Sequence, residues 1–230
     1  MVKLSHIWFF FNKCNKDLMF NMYSQNILSE NRTYNKVLVV SNMYPNNQYP
    51  SYGVFVKHFC DQLNEIGIDF SISVLNKTQN RTIKIVKYGL FYLRTFFMVL
   101  FGNYDLVYIH YPSFSAKPVL IAHKFKSFDI ISNVHGTDVV PLKNEHEKMI
   151  RNTKKAIDVS RVVVVPSEYY KQLLIEKYNI IDKKIVIYPS AGVDEQLFFR
   201  FDSDRIAAIK REYKIDNDAF VIGSVPKKLF

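Results

Sequence analysis

Cysteine is scarce in this chain. Only Cys14 and Cys60 occur in 230 residues, too few and too far apart for a disulfide framework, and no Cys/His cluster has the spacing of a zinc site. A reducing, cytoplasmic setting is the expectation. The N-terminal apolar run Ile7-Trp8-Phe9-Phe10-Phe11 is far shorter than the roughly 20 residues a membrane span needs, and it lacks the small-residue cleavage site of a signal peptide. Residues 1–35 are therefore read as an irregular leader outside the fold. There is no internal repeat and no Ser/Gly linker, so one domain with appendages is the working count. No Gly-x-Gly-x-x-Gly turn follows the first strand-like segment, where Ser41-Asn42-Met43-Tyr44-Pro45 stands instead. That sets aside a nicotinamide-dependent oxidoreductase.

Acidic residues are also wanting. The chain carries 31 Lys and Arg against 21 Asp and Glu, a net charge of +10, which favours a polyanionic partner: nucleic acid, nucleotide or an anionic membrane surface. Between Asp69 and Asp105 there is no acid at all, while Lys77, Arg81, Lys84, Lys87 and Arg94 fall there. These cations interleave with aliphatics and match no recognised nucleic-acid module, so no nucleic-acid partner is expected.

From Lys36 onward, strand-like apolar runs alternate with helix-period stretches. That is the pattern of an α/β fold with a Rossmann-like parallel sheet flanked by helices. Val37-Leu38-Val39-Val40 reads as a buried strand ending at Ser41-Asn42. A loop with Pro45 and Pro50 leads to Gly53, and Phe55, Phe59, Leu63 and Ile66 then share a helical face closed by Gly67. Further strands are expected at 68–75, 105–110, 128–134, 161–165, 184–188 and 220–225. Helices are expected at 84–101, 116–126, 143–159, 167–178 and 204–213, with Ser167 as an N-cap.

In an open parallel sheet, ligands bind at the carboxyl ends of the strands, so the loops 42–53, 110–115 and 135–138 should line one crevice. Gly53 at a helix start lets backbone N–H groups approach a ligand, or simply serves a turn that needs positive φ. His135-Gly136-Thr137-Asp138 is a polar tetrad directly after an apolar strand. It reads as a ligand-contacting turn or as a satisfied structural histidine with its loop.

The order Tyr44-Pro45, Gly53-Val54-Phe55-Val56, His135-Gly136-Thr137-Asp138, Val164-Val165-Pro166-Ser167-Glu168-Tyr169, Ile187-Tyr188-Pro189, Gly192-Val193-Asp194 and Phe198 resembles the family-four glycosyltransferases. These are two-Rossmann (GT-B) enzymes, and the tract Tyr52–Val56 is most similar to members that build capsule, teichuronic acid or other surface polysaccharides. The resemblance runs from about Lys36 to Val225. It implies transfer of a sugar from a nucleoside-diphosphate sugar with retention of configuration, without cofactor or essential metal, to a lipid-linked or polysaccharide acceptor. By the same resemblance His135 is the catalytic residue that contacts the donor sugar or reacting centre. Asp138 fixes the turn or an acceptor hydroxyl, Gly53 approaches the phosphate, and Gly136 and Thr137 complete the substrate-binding set. Tyr52 stands where many relatives have the first of a Gly pair, and Ala191 where they have Asn.

The implied organisation is a leader (1–35), an acceptor-side Rossmann-like domain (36–200) and the start of a donor domain (201–230). The Arg and Lys that hold the donor pyrophosphate in relatives, and their later paired-Glu motif, do not follow Val225, so the chain is expected to be truncated and inactive alone. A non-catalytic remnant that keeps an acceptor-binding or membrane-binding surface is the competing reading. The helix at 84–101 stays open between two roles. It is an interfacial helix on the inner face of the plasma membrane, with cations at anionic headgroups, or a core helix with its few cations in water.

Overall fold

The computed structural model describes residues 2–3, 33–140, 147–181, 184–188 and 199–222. They belong to two compact units, 1–191 and 192–230. The first is built on six strands, β1 (Val37–Tyr44), β2 (Phe70–Asn76), β3 (Leu106–His110), β4 (Asp129–Asn133), β5 (Val162–Val165) and β6 (Ile185–Ile187), all paired in parallel in the order β2-β1-β3-β4-β5-β6. The helices are α1 (Val54–Glu65), α2 (Arg81–Phe101), α3 (Pro112–Ala122), α4 (Glu147–Val159) and α5 (Glu168–Tyr178). This is the Rossmann-like α/β class that the alternation predicts.

Side chains alternate across a strand, and both faces of this sheet are covered, so the central strands are apolar throughout. Val37 and Val39 join Leu106 and Tyr108 in a core with Val56, Phe59, Cys60 and Leu63 of α1. Those four helix positions follow the spacing of one helical face. Leu38 and Val40 point the other way, to Phe91 and Val99 of α2 and Ala116 and Val119 of α3.

Several boundaries differ from the sequence reading. β1 does not end at Ser41-Asn42 but continues to Tyr44, because Ser41 pairs with both Val74 and His110 and Tyr44 pairs with Asn76 past a bulge. α2 starts three residues before Lys84, where the Asn80 side chain accepts from the Ile83 N–H at 3.0 Å. α3 starts at Pro112 rather than Ala116, so most of the segment read as a crevice loop is its first turn. Proline at the first helical position gives up only an N–H that would lack a partner anyway. Pro118 lies within α3 and cannot donate to Phe114 four residues back, and the Tyr92 hydroxyl takes that place, donating to the Phe114 carbonyl at 2.9 Å. Ser167 precedes α5 without a side-chain capping bond.

Within the stretch read as an irregular leader, Val2–Lys3 and Thr33–Tyr34 pair as a short antiparallel ladder. Tyr34 is buried, and its hydroxyl donates to Asp129 Oδ2 at 2.6 Å. Its apolar ring has a place in the core of the sheet domain, so the domain reaches back past Lys36.

In the second unit, α6 (Ser203–Glu212) is capped by the Asp202 side chain, which accepts from Arg205 N–H at 2.7 Å. Phe220–Ile222, expected to open a strand, is not in one; a strand needs a neighbour for its N–H and C=O groups, and no described residue pairs with it. Residues 223–225 and the motif 189–198 lie outside the described residues.

α2 meets the sheet along a narrow seam, Phe91, Thr95 and Val99, with Thr95 Oγ1 2.7 Å from Ser73 Oγ. Tyr88, Tyr92, Phe96 and Met98 flank that seam half-buried against the core, and a further set of apolar side chains is in solvent. Ile83, Val86, Leu90, Leu93, Phe97 and Phe101 are all exposed, Leu90 at 60% and Phe101 at 74%. Among the described residues no helix is long and apolar enough to cross a membrane.

Candidate functional site

Because the strands are parallel, β1, β3 and β4 deliver Tyr44, His110 and Asn133 to one edge of the sheet. The strand order reverses at β1, with β2 on one side and β3 on the other, and a crevice opens over the carboxyl ends at such a point. Gly53 and His135 both follow strands that end there.

Gly53 has φ 74° and precedes α1. A Cβ on it would lie 2.6 Å from the Met43 carbonyl carbon and 2.8 Å from the Tyr44 nitrogen. Glycine is thus demanded twice here, by the left-handed backbone and by the closeness of the end of β1. This tight turn aims the first turn of α1 across the sheet edge, so that the Phe55 ring lies 4.5 Å from that of His135.

His135 is partly exposed and ringed by aromatics. Besides Phe55, Tyr111 stacks on it at 5.6 Å with an interplanar angle of 6°, and His110 stacks at 5.4 Å. His135 Nε2 is 3.1 Å from His110 Nδ1. Burial pushes the His135 imidazole down to about 4. His110, at 2% exposure, is held well below the usual histidine range by burial and then by the neighbouring His135. Both rings are neutral at pH 7.

Asp138 is buried, and its Oδ1 accepts from the His135 backbone N–H at 3.0 Å. Burial raises its carboxyl to about 7, against the lowering effect of backbone N–H groups of His135, Asp138 and Gly136. Oδ2 has no hydrogen-bond partner among the described residues. Asp138 therefore braces the turn from beneath. Gly136 has φ 108°, and a Cβ there would meet the Tyr170 hydroxyl at 2.7 Å. The Thr137 hydroxyl is in a short hydrogen bond with that of Tyr111.

The structure thus brings His135, Gly136, Thr137 and Asp138 into one turn and sets the helix that begins at Gly53 against it. Two neighbours, His110 and Tyr111, fall in the segment 110–115 that the sequence assigns to the crevice, but sequence reasoning gave neither a role of its own. Tyr111 adopts φ 57° and ψ 66°, a left-handed conformation rare for a bulky side chain, and its N–H donates to the Asn133 carbonyl at 3.1 Å. Such strain collects at functional sites. A histidine closing the apolar strand Leu106–Ile109 was the available signal for His110, parallel to the one that marked His135. Cys60, on the core-facing side of α1, has its thiol pushed up to about 12, chiefly by burial, and is no nucleophile. No group of three or more His, Cys, Asp or Glu among the described residues could hold a metal.

The arrangement offers apolar ring faces and neutral hydrogen-bonding groups around a partly exposed imidazole. It suits an uncharged, hydroxyl-rich ligand.

No curated protein matches the chain significantly. The crystal structure of a glycosyltransferase from Rickettsia africae ESF-5 aligns with it at 18% identity and a TM-score of 0.42, covering 81% of this chain and 51% of that one. This chain therefore spans about half the length of that protein. Residues 35–196, the whole sheet with its crevice, match Glycosyltransferase Family 4, and the chain belongs to that family.

Proposed function

We propose that this chain is the acceptor-side half of a retaining, nucleotide-sugar-dependent glycosyltransferase acting in bacterial surface polysaccharide or glycolipid synthesis. The observation that carries the reading is the convergence of Phe55, His110, Tyr111 and His135 over the carboxyl edge of β1, β3 and β4. His135 contacts the sugar, and Gly136 and Thr137 shape the turn around it. Asp138 fixes that turn through the His135 N–H, and Gly53 lets α1 approach closely.

Departure of a nucleoside diphosphate needs positive charge aimed at the leaving phosphates. None of His110, Tyr111, His135 or Asp138 supplies a cation at neutral pH. The residues that stabilise the leaving group are therefore contributed by the donor side of the cleft. Residues 201–230 are assigned to the beginning of the donor domain.

The acceptor is lipid-linked, and α2 attaches the domain to an anionic membrane. Support comes from the exposed apolar stripe of α2 together with exposed Arg81, Lys84 and Arg94 and the absence of acids from residue 70 to 104.

A titration of the isotopically labelled chain with an alkyl-phosphate-linked sugar, and separately with UDP- and GDP-sugars, tests the site. Resonances of His135, Gly136 and Thr137 should move with at least the acceptor mimic, and the effect should vanish in His135→Ala. Shifts confined to residues far from this turn, or none at millimolar ligand, would sink the assignment.

A further inference from the structure

The contact between His110 and His135 decides which face His135 shows to a ligand. Both rings are neutral at pH 7, so a single proton occupies the 3.1 Å gap between His110 Nδ1 and His135 Nε2. Two arrangements are open. If His135 Nε2 carries the proton, His110 must carry its own on Nε2. That nitrogen is buried without a hydrogen-bond partner among the described residues. Around it are the rings of Phe55, Phe59 and Tyr108, at 5.9, 5.0 and 4.9 Å from the His110 ring. The one hydroxyl among them, of Tyr108, is engaged with Asn133 Nδ2 at 3.0 Å. An N–H would be orphaned there. Buried N–H groups without acceptors are rarer in folded proteins than acceptors left bare.

The other arrangement leaves only a lone pair in the aromatic pocket. We propose that His110 is a positioning residue: its Nδ1–H donates to Nε2 of His135 and fixes His135 as the Nδ1–H tautomer, so that His135 offers the crevice a hydrogen-bond donor to a sugar oxygen and not a base. No hydrogen bond from the described residues occupies His135 Nδ1, which is left for the ligand. The second ring nitrogen setting the tautomer of the first is the usual way proteins control histidine chemistry.

The sugar as target rests on the function proposed above, whereas the tautomer does not. It is therefore read in the ligand-free chain. Failure there leaves the sugar reading standing, and failure of the ligand titration leaves the tautomer standing.

The measurement is a long-range proton–nitrogen spectrum of the histidine-labelled chain at pH 7. His135 is expected with Nδ1 protonated and Nε2 bare, and His110 likewise. In His110→Phe the constraint disappears, and His135 should shift toward the Nε2–H form that free imidazole side chains favour in water. His110→Asn places an amide N–H near the position of the lost Nδ1 and should restore the Nδ1–H form, an outcome that a merely space-filling role for His110 would not give. His135 found as Nε2–H in the parent chain overturns the proposal. So does an unchanged tautomer in a folded His110→Phe chain, or an Asn variant that behaves like Phe. Should His110→Phe not fold, the parent and Asn spectra decide alone.

Discussion

Oδ1 of Asp138 accepts the backbone N–H of His135 at 3.0 Å, while its other oxygen is buried with no hydrogen-bond partner among the described residues. The proton that would suit that second oxygen is the one burial encourages the carboxyl to keep. With its folded value raised to about 7 against about 4 when unfolded, Asp138 binds a proton in the folded state that it lacks unfolded across that interval. Its contribution to stability is therefore present at low pH and falls as pH rises from about 4 to about 7, by at most about 1.4 kcal/mol per pH unit. His135 acts in the opposite sense. Its folded value near 4 lies below the unfolded value near 6.5, so its contribution rises with pH over much of the same window. His110, held well below its usual value in the folded chain, adds a second rising contribution, so the stability of the parent chain should rise with pH over this window. Asp138→Asn removes only the falling limb, so its urea midpoint should climb from pH 4 to 6.5 relative to the parent. Superimposable profiles would show that Asp138 is ionised in the folded state throughout.

The two positive-φ glycines of the site should differ in their tolerance of a methyl group. At Gly53 the added Cβ would strike backbone, 2.6 Å from the Met43 carbonyl carbon, which cannot yield without moving β1. Gly53→Ala should cost about 2–4 kcal/mol, at the upper end of single-substitution effects. At Gly136 the nearest atom is the far end of a side chain, the Tyr170 hydroxyl at 2.7 Å. Removing that hydroxyl should relieve the steric part. In thermal unfolding, Gly136→Ala with Tyr170→Phe is expected to be more stable than Gly136→Ala alone, and Gly53→Ala should gain nothing from the same second change. Equal rescue of both would refute the local account.

Tyr92 and Pro118 make a coupled pair through the carbonyl of Phe114. Tyr92→Phe strands that carbonyl and should cost about 1 kcal/mol. Pro118→Ala returns an N–H to the helix and gives the carbonyl a native partner, after which Tyr92→Phe should cost much less. A double-mutant cycle by urea unfolding measures the coupling, expected at roughly 0.5–1 kcal/mol. Additive effects would mean that Tyr92 acts by packing alone.

The order of strands and helices was readable because a sheet covered on both faces writes itself as β-branched runs, such as Val37–Val40 and Val162–Val165, separated by helix-period segments. Boundaries set by one capping bond or one proline were not. Asn80 reads as an ordinary loop residue until Ile83 folds back to it, and Pro112 reads as a loop until its missing N–H proves harmless. At the site, the turn at 135–138 was visible as polar residues after an apolar strand. His110 and Tyr111 were passed over because what distinguishes them is spatial. The contact with an imidazole 25 residues away and the left-handed backbone have no local signature, and the one local cue, a histidine closing an apolar strand, marks His110 only as part of the crevice-lining segment 110–115. Phe220–Ile222 misled in the other direction, since apolar composition predicts a strand only where a neighbour exists to pair with it.

The wide apolar face of α2 was ambiguous in sequence between core and interface, and its exposure gives the membrane reading a measurable form. Leu90, Leu93 and Phe97 are 60, 56 and 50% exposed, so serine at all three should cost little stability while removing the surface that enters the headgroup region. Arg81 and Lys84 are exposed beside the same stripe, and each cation near an anionic surface contributes about 1 kcal/mol. Reversing both to Glu should weaken binding to anionic vesicles by roughly thirtyfold or more and leave binding to neutral vesicles unchanged. Arg94 is a poorer probe because its guanidinium bonds the Val74 carbonyl, so its loss would also loosen α2 from the edge of the sheet. In flotation assays the parent chain should rise with anionic vesicles, less with neutral ones, and less again with anionic vesicles at high salt, where the screening length shrinks to a few ångströms. Equal recovery with both lipids would remove the electrostatic component. Recovery with neither would leave α2 as a helix whose apolar face meets some other surface, and the attachment would be wrong.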